Sequence, residues 1–471
     1  MSDAALLDRL VNALGPRGVL TDSADLAPFL SDWRGLFQGQ ALCVLRPDTT
    51  QGVADAVRLC GEAGVSLVPQ GGNTSMVAGA TPDATGRQIV LSLSRLNRIR
   101  AVDEIDMAIV LDAGVIVQRA QATAAEKGCT LPLSFSAEGS ATIGGALSTN
   151  AGGNNTIRFG NARDLLLGLE VVLPDGRIWN GMRPLRKDNT GYALRHLFAG
   201  AEGTLGIVTG AVLKLVPQAR SEEVMLCALP DAQAALSLYR RLRAYDESSL
   251  RAFEFISGTG MELALAHIEG VERPLAERAP AYALVDLAST RRNDTLRDIA
   301  EEVVGEALEA GEVLDAVIAD SLAQRAALWR LREEQSEAQK RAGANVKNDV
   351  SVPVSRVPDL IRLGAEAVER LVPGTRAAPF GHLGDGNIHL NFVKPEGADD
   401  AGFLVRSGEI ADAINAVVRG LDGSFSAEHG IGRIKTETLR KWREGPELDT
   451  MRAIKRAIDP QSLMNPGKLL P

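Results

Sequence analysis

Residues 69–75, Pro69-Gln70-Gly71-Gly72-Asn73-Thr74-Ser75, constrain the architecture of this chain more than any other stretch. They follow the strand-like run VSLVP, and adjacent glycines let backbone N–H groups turn inward around an anion such as a phosphate. A second cluster of the same texture runs Glu138-Gly139-Ser140-Ala141-Thr142-Ile143-Gly144-Gly145 and continues through Ser148-Thr149-Asn150-Ala151-Gly152-Gly153. Small residues and hydroxyls at this density suit a tightly wrapped dinucleotide. For either loop alone, turn glycines in a β-rich domain are the competing reading. Neither GxGxxG between strand and helix nor GxxxxGK[ST] occurs, so a Rossmann site and a P-loop are unsupported.

Outward from these loops, residues 41–68 read strand, helix, strand, the helix burying Val53, Val57 and Cys60. Upstream, leucines 6, 7, 10 and 14 predict one amphipathic helix stopped by Gly15-Pro16. Downstream, LEVVLPDGRIW predicts a hairpin with Pro174-Asp175-Gly176 at its tip, and LGIVTGAVLKLVP is β-rich. After Pro217 the texture changes. Strand-like runs (EEVMLCAL, AYALVDLA, EVLDAVIA) alternate with amphipathic helices over 231–244, 292–310 and 319–342, which predicts an antiparallel sheet backed by helices. The class is α+β, divided as an N-terminal helical segment (1–37), a loop-bearing domain (38–218), a second α+β domain (219–424) and a C-terminal segment (425–471).

Composition sets the outer limits. A chain of 471 residues holds two or three domains. Its 45% hydrophobic and 24% charged residues are those of a soluble globular protein. Net charge is 51 − 60 = −9, against a nucleic-acid binder, which needs a basic face. No apolar run approaches the ~20 residues of a membrane span. Asp3 and Asp8 stand where a signal peptide is basic. Cysteines 43, 60, 129 and 227 form no CxxC pair, so neither a disulfide framework nor a thiolate metal site is indicated. A cytoplasmic location is expected.

The chain has five histidines, three of them between 382 and 429. His382 precedes a glycine turn in GHLGDGNIHLN, and His389 sits on the strand that follows, so the two can converge. Adding Glu428 from SAEHGIG gives two imidazoles and one carboxylate, a set that suits zinc with an open position, with manganese or iron as alternatives. Hydrogen-bonded histidines without a metal are the plainer reading. Asp385 is the rival ligand, although DGN reads better as turn chemistry. On the predicted helix 319–342, Arg332 and Ser336 are four apart and share a face. With Lys347 they offer a fork, a hydroxyl and an ammonium to a carboxylate, a weak signal when most such residues are solvated.

Five blocks, PQGGNTS, EGSATIGGALSTNAGG, GLEVVLPDG, RKDNTGY and LFAGAEGTLGIVT, resemble in order the FAD-binding domain of the vanillyl-alcohol-oxidase type. GHLGDGNIHLN, SAEHGIG and the closing Asp459-Pro460 and Asn465-Pro466-Gly467-Lys468 resemble the FAD-linked D-2-hydroxy-acid dehydrogenases. PQGGNTS and RKDNTGY look most like the D-2-hydroxyglutarate dehydrogenases among them. The resemblance implies FAD held by Gln70, Gly71, Gly72, Asn73, Thr74, Ser75, Gly139, Ser140, Thr142, Ile143, Gly144, Gly145, Thr149, Asn150, Gly152, Gly153, Gly203, Ile207 and Asn465. It implies a non-covalent flavin, since Asn73-Thr74 stand where covalent relatives have histidine. It further implies metal at His382, His389 and Glu428, with His429 as catalytic base. Arg332, Ser336 (threonine in the family), Lys347 and Asn391 would then hold the substrate. Met76, Ala78, Ala80 and Glu138 depart from the family pattern at positions that touch packing or FAD contacts.

The reaction so implied is oxidation of D-2-hydroxyglutarate to 2-oxoglutarate, with hydride passing from C2 to flavin N5 and the electrons leaving the reduced flavin for an electron-transfer flavoprotein or a quinone. A homodimer is compatible with it. D-lactate or another D-2-hydroxy monocarboxylate is the alternative substrate. A metallohydrolase leaves the glycine loops unexplained and lacks HExxH; an inert FAD binder leaves His429 unexplained.

Overall fold

The computed structural model describes residues 2–292 and 295–470, which cluster into two compact units. The first comprises Met1–Gly152, Gly160–Gln218 and Glu428–Pro471. In it, strand Val44–Leu45, helix Thr50–Ala63 and strand Leu67–Gln70 form the expected strand–helix–strand start. Thr49 caps the helix N-terminus and Gly64, at φ 67°, ends it. Val53, Val57 and Cys60 are fully buried. Both strands lie parallel to Ile89–Ser92 between them. Helix Asp3–Leu14 buries Leu6 and Leu10 and stops at Gly15. A second sheet of this unit, five-stranded among the described residues, is antiparallel and carries the hairpin Leu166–Val172/Ile178–Gly181, with Gly176 at φ 82° in its turn.

The chain returns to this unit at its end. Leu67 N–H donates to Leu463 O and Asn465 N–H to Leu67 O, both at 2.8 Å. The closing segment thus lies beside the strand that opens into the first glycine loop.

The second unit comprises Gly153–Phe159 and Ala219–Ala427. Its main sheet has seven strands among the described residues, all paired antiparallel. In order they are Asp315–Ile318, Ser221–Leu229, Ala281–Ser289, Leu250–Ser257, Phe380–His382, Asn387–His389 and Asp349–Ser351. Val224, Leu226, Ile256 and Leu284 cluster on one face with Leu328 and Leu331 of the helix above.

Two helices differ from expectation. The span 292–310 is helical over Leu296–Glu309; residues 293 and 294 lie outside the described residues. The continuous helix expected over 319–342 is instead two, Leu322–Glu333 and Gln335–Arg341, separated at Glu334. No glycine or proline marks the break. Gln335, fully buried, donates its side-chain amide back to Leu331 O at 2.8 Å, so burial rather than propensity turns the chain here. Among the described residues, no helix is long and apolar enough to cross a membrane.

Candidate active site

The two glycine loops of the first unit are packed against each other. A Cβ on Gly72 would lie 2.1 Å from Ser140 O, and one on Gly71 would lie 2.3 Å from Thr142 Oγ1, so neither position tolerates a side chain without the loops parting. Several polar side chains expected to face FAD are spent on their own chain. Gln70 Nε2 donates to the carbonyls of Phe29 (3.0 Å) and Ala80 (2.8 Å), and Asn73 Nδ2 to that of Ser31 (2.8 Å). Thr142 caps the short helix Ile143–Thr149, and Thr149 Oγ1 donates to Gly145 O at 3.1 Å.

What remains to meet a ligand is backbone. Among the described residues, the N–H groups of Gly71 through Ser75 donate to no protein acceptor. Half-buried N–H groups need partners, and successive ones, with Asn73 at φ 53°, form an anion-binding concavity. That fits a pyrophosphate. Gly203 closes on Pro69, and Asn465 Nδ2 donates to Gly79 O (2.9 Å) and Glu202 O (2.8 Å), so these expected FAD positions border the same loop. Gly153 falls in the other unit.

In the second unit the expected histidines meet by sheet register. Phe380 pairs with His389 and His382 with Asn387 across a tight turn closed by Gly386 at φ 84°. His382 and His389 are therefore diagonal neighbours on one face, with ring centroids 5.9 Å apart. Asp385 is taken by the turn, where it accepts the Asn387 N–H at 3.1 Å. Next along, Asp349 pairs with His389, and its oxygen lies 3.8 Å from His389 Nδ1. The Ala427 N–H donates to Asp349 O at 3.4 Å, so Glu428 follows directly from this sheet edge. One ligand atom each from His382, His389 and Glu428 lies within 4.8 Å of the others, and Asp349, Glu428 and His429 form a second such group. Two imidazoles and a carboxylate at this spacing fit a divalent metal.

Sequence reasoning missed Glu254, which sits 1% exposed in the apolar strand Leu250–Ser257. The register Phe255↔Gly381 and Ile256↔Phe380 brings it opposite His382. Its Oε1 lies 2.8 Å from His382 Nδ1, and its Oε2 accepts from Arg332 Nε at 2.7 Å. Burial alone would raise its carboxyl pKa. The His382 and Arg332 charges and bonds outweigh that and hold it at about 2.

Arg332 is itself buried, with its guanidinium 4.8 Å from the Phe380 ring centroid. Glu254 is its only hydrogen-bond partner among the described residues, which leaves its Nη groups for a ligand. Its expected companions differ. Ser336, past the break at Glu334, and Lys347, between two short strands, are both exposed. The break removes the continuous helix on which a shared face for Arg332 and Ser336 was argued. Asn391 is buried, its Oδ1 accepting from Asn348 N (3.1 Å) and its Nδ2 donating to Gln339 Oε1 (2.9 Å).

A second missed carboxylate, Glu202 of the first unit, accepts the N–H groups of Ile431 (2.8 Å) and Gly432 (2.7 Å), just beyond His429. Burial raises its pKa, against the pull of those two bonds. Gly430 is required there, since a Cβ on it would lie 2.8 Å from Glu202 Oε1.

Two family models match the chain: an FAD binding domain over residues 41–181 and the C-terminal domain of FAD linked oxidases over 218–469. A D-2-hydroxyglutarate dehydrogenase of Xanthomonas citri pv. viticola is 37% identical over 470 residues, covering 100% of this chain and 97% of its own. Further relatives at 35–36% identity carry the same activity in their names. A Schizosaccharomyces pombe relative named for D-lactate dehydrogenase activity in mitochondria is 34% identical, over 99% of this chain and 87% of its own. The solved structure of p-cresol methylhydroxylase superposes with a TM-score of 0.73 at 16% identity, over 99% of this chain and 96% of that one, which shows the vanillyl-alcohol-oxidase-type fold.

Proposed function

The chain belongs to the FAD-linked oxidases, and we propose that it oxidises D-2-hydroxyglutarate to 2-oxoglutarate, with non-covalent FAD and a divalent metal. The observation that carries this reading is one buried carboxylate, Glu254, shared between Arg332 and a histidine of the metal-binding group. A cation for a distal carboxylate and a histidine for the hydroxy-acid head thus meet at one side chain, which suits a short dicarboxylate.

FAD supplies the hydride acceptor. A metal held by His382, His389 and Glu428, zinc by the chemistry of the donors with manganese or iron as alternatives, would lower the pKa of the substrate hydroxyl. His429 takes the hydroxyl proton. The Nη edge of Arg332 holds the distal carboxylate bidentately, with Lys347, Ser336 and Asn391 as its further contacts. Fixing both ends of the substrate makes transfer from C2 effectively intramolecular. We further propose a cytoplasmic location, a homodimer, and reoxidation by an electron-transfer flavoprotein or a quinone.

A second reading, D-lactate oxidation, is favoured by the exposure of Ser336 and Lys347 and by the name of the yeast relative. Anaerobic flavin bleaching across D- and L-2-hydroxy acids separates the two. D-2-hydroxyglutarate should bleach fastest and its L-enantiomer should not bleach. A preference for D-lactate promotes the second reading, and no bleaching by any 2-hydroxy acid removes both. The cradle has its own test. Gly72→Ala, forced against Ser140 O, should purify with less flavin per protein by absorbance; a full complement would place the pyrophosphate elsewhere.

A further inference from the structure

We propose that Glu254 is a positioning residue that ties the substrate-carboxylate grip to the metal group, its two oxygens setting the orientation of Arg332 and His382 at once. The proposal rests on the functional reading above for the roles of those two residues.

An ionised carboxylate only accepts hydrogen bonds. The nitrogen facing Glu254 Oε1 at 2.8 Å, His382 Nδ1, therefore carries a proton, so that Nε2 is the atom a metal would take from the neutral ring. A carboxylate behind a ligating histidine fixes both tautomer and ring direction in this way. The other oxygen takes Arg332 Nε at 2.7 Å. With Nε engaged and the guanidinium over the Phe380 ring, only the Nη edge of the fork is left for a ligand. Phe380 in turn lies 4.9 Å, centroid to centroid, from the ring of His389. Arg332 thus reaches His382 through the Glu254 carboxylate and His389 through the Phe380 ring.

Glutamine cannot replace it. An amide has one acceptor oxygen, so its NH2 must face either the Arg332 Nε–H or the His382 Nδ1–H, donor against donor. Aspartate keeps the charge but is one methylene shorter, and can reach only one partner.

The test uses the FAD-bound full chain. Zinc affinity is measured by competition with a chromophoric chelator, and 2-oxoglutarate affinity by perturbation of the flavin spectrum. Glu254→Gln should weaken zinc about 10- to 100-fold, the usual effect of losing such a partner. It should weaken 2-oxoglutarate as well, with flavin content unchanged. Glu254→Asp should fall between. Wild-type zinc affinity in Glu254→Gln overturns the proposal. If that variant fails to fold, wild-type affinity for both zinc and 2-oxoglutarate in Glu254→Asp does so instead. A wild-type protein that binds no divalent metal overturns the functional reading and this proposal together, a result distinct from either.

Discussion

His429→Asn should slow reduction of the flavin by D-2-hydroxyglutarate by about 10²-fold or more, the typical contribution of a positioned general base. Asparagine can fill the space and form a hydrogen bond, but it has no nitrogen that accepts a proton near neutral pH. The loop has anchors besides the imidazole. Ile431 and Gly432 anchor it through their N–H groups to Glu202, and Gly430 and Gly432 turn it at φ 75° and 51°. The variant should therefore keep wild-type flavin content and melting temperature. Anaerobic stopped-flow reduction is the measurement. Near-normal rates would move the base role to another residue.

The parts of this molecule that sequence displays are those fixed by local chemistry. Adjacent glycines at 71 and 72 declared a close backbone approach. Pro174-Asp175-Gly176 declared a hairpin, and the pair His382/His389 flanking a glycine turn declared its own convergence, because the strand period places them on one face. What escaped reading was set by long-range pairing. Glu254 lies 128 residues from its histidine, and only the register of the sheet joins them. One signal was available. A lone glutamate inside LRAFEFIS is a charge in a strand too apolar to be exposed, and buried charges require partners. Glu202 carried a similar signal between small apolar residues. The break at Glu334 carried none, since EEQSEAQK is good helix sequence and Gln335 is drawn inward by its burial.

The shared carboxylate changes what loss of Arg332 should do. If Arg332 acted only on the distal carboxylate, Arg332→Ala would spare the D-lactate reaction, since D-lactate has no second carboxylate to offer. Arg332 also holds Glu254, and Glu254 holds His382. Removing one partner of a buried pair leaves the other charge uncompensated and costs about 3–5 kcal/mol, so some loss with D-lactate is expected through the disturbed His382. The dicarboxylate reaction should bear that loss and a further one. Losing a desolvated charged contact costs about 2–5 kcal/mol, or roughly 30- to several-thousand-fold in kcat/KM. The decisive quantity is therefore the ratio of kcat/KM for D-2-hydroxyglutarate over D-lactate, which should fall by at least about 30-fold in Arg332→Ala. It should fall much less in Glu254→Gln, where the guanidinium remains. General destabilisation lowers both rates and leaves the ratio alone. An unchanged ratio in Arg332→Ala would falsify the dicarboxylate grip, leaving Arg332 as a brace for Glu254 and D-lactate as the better substrate assignment.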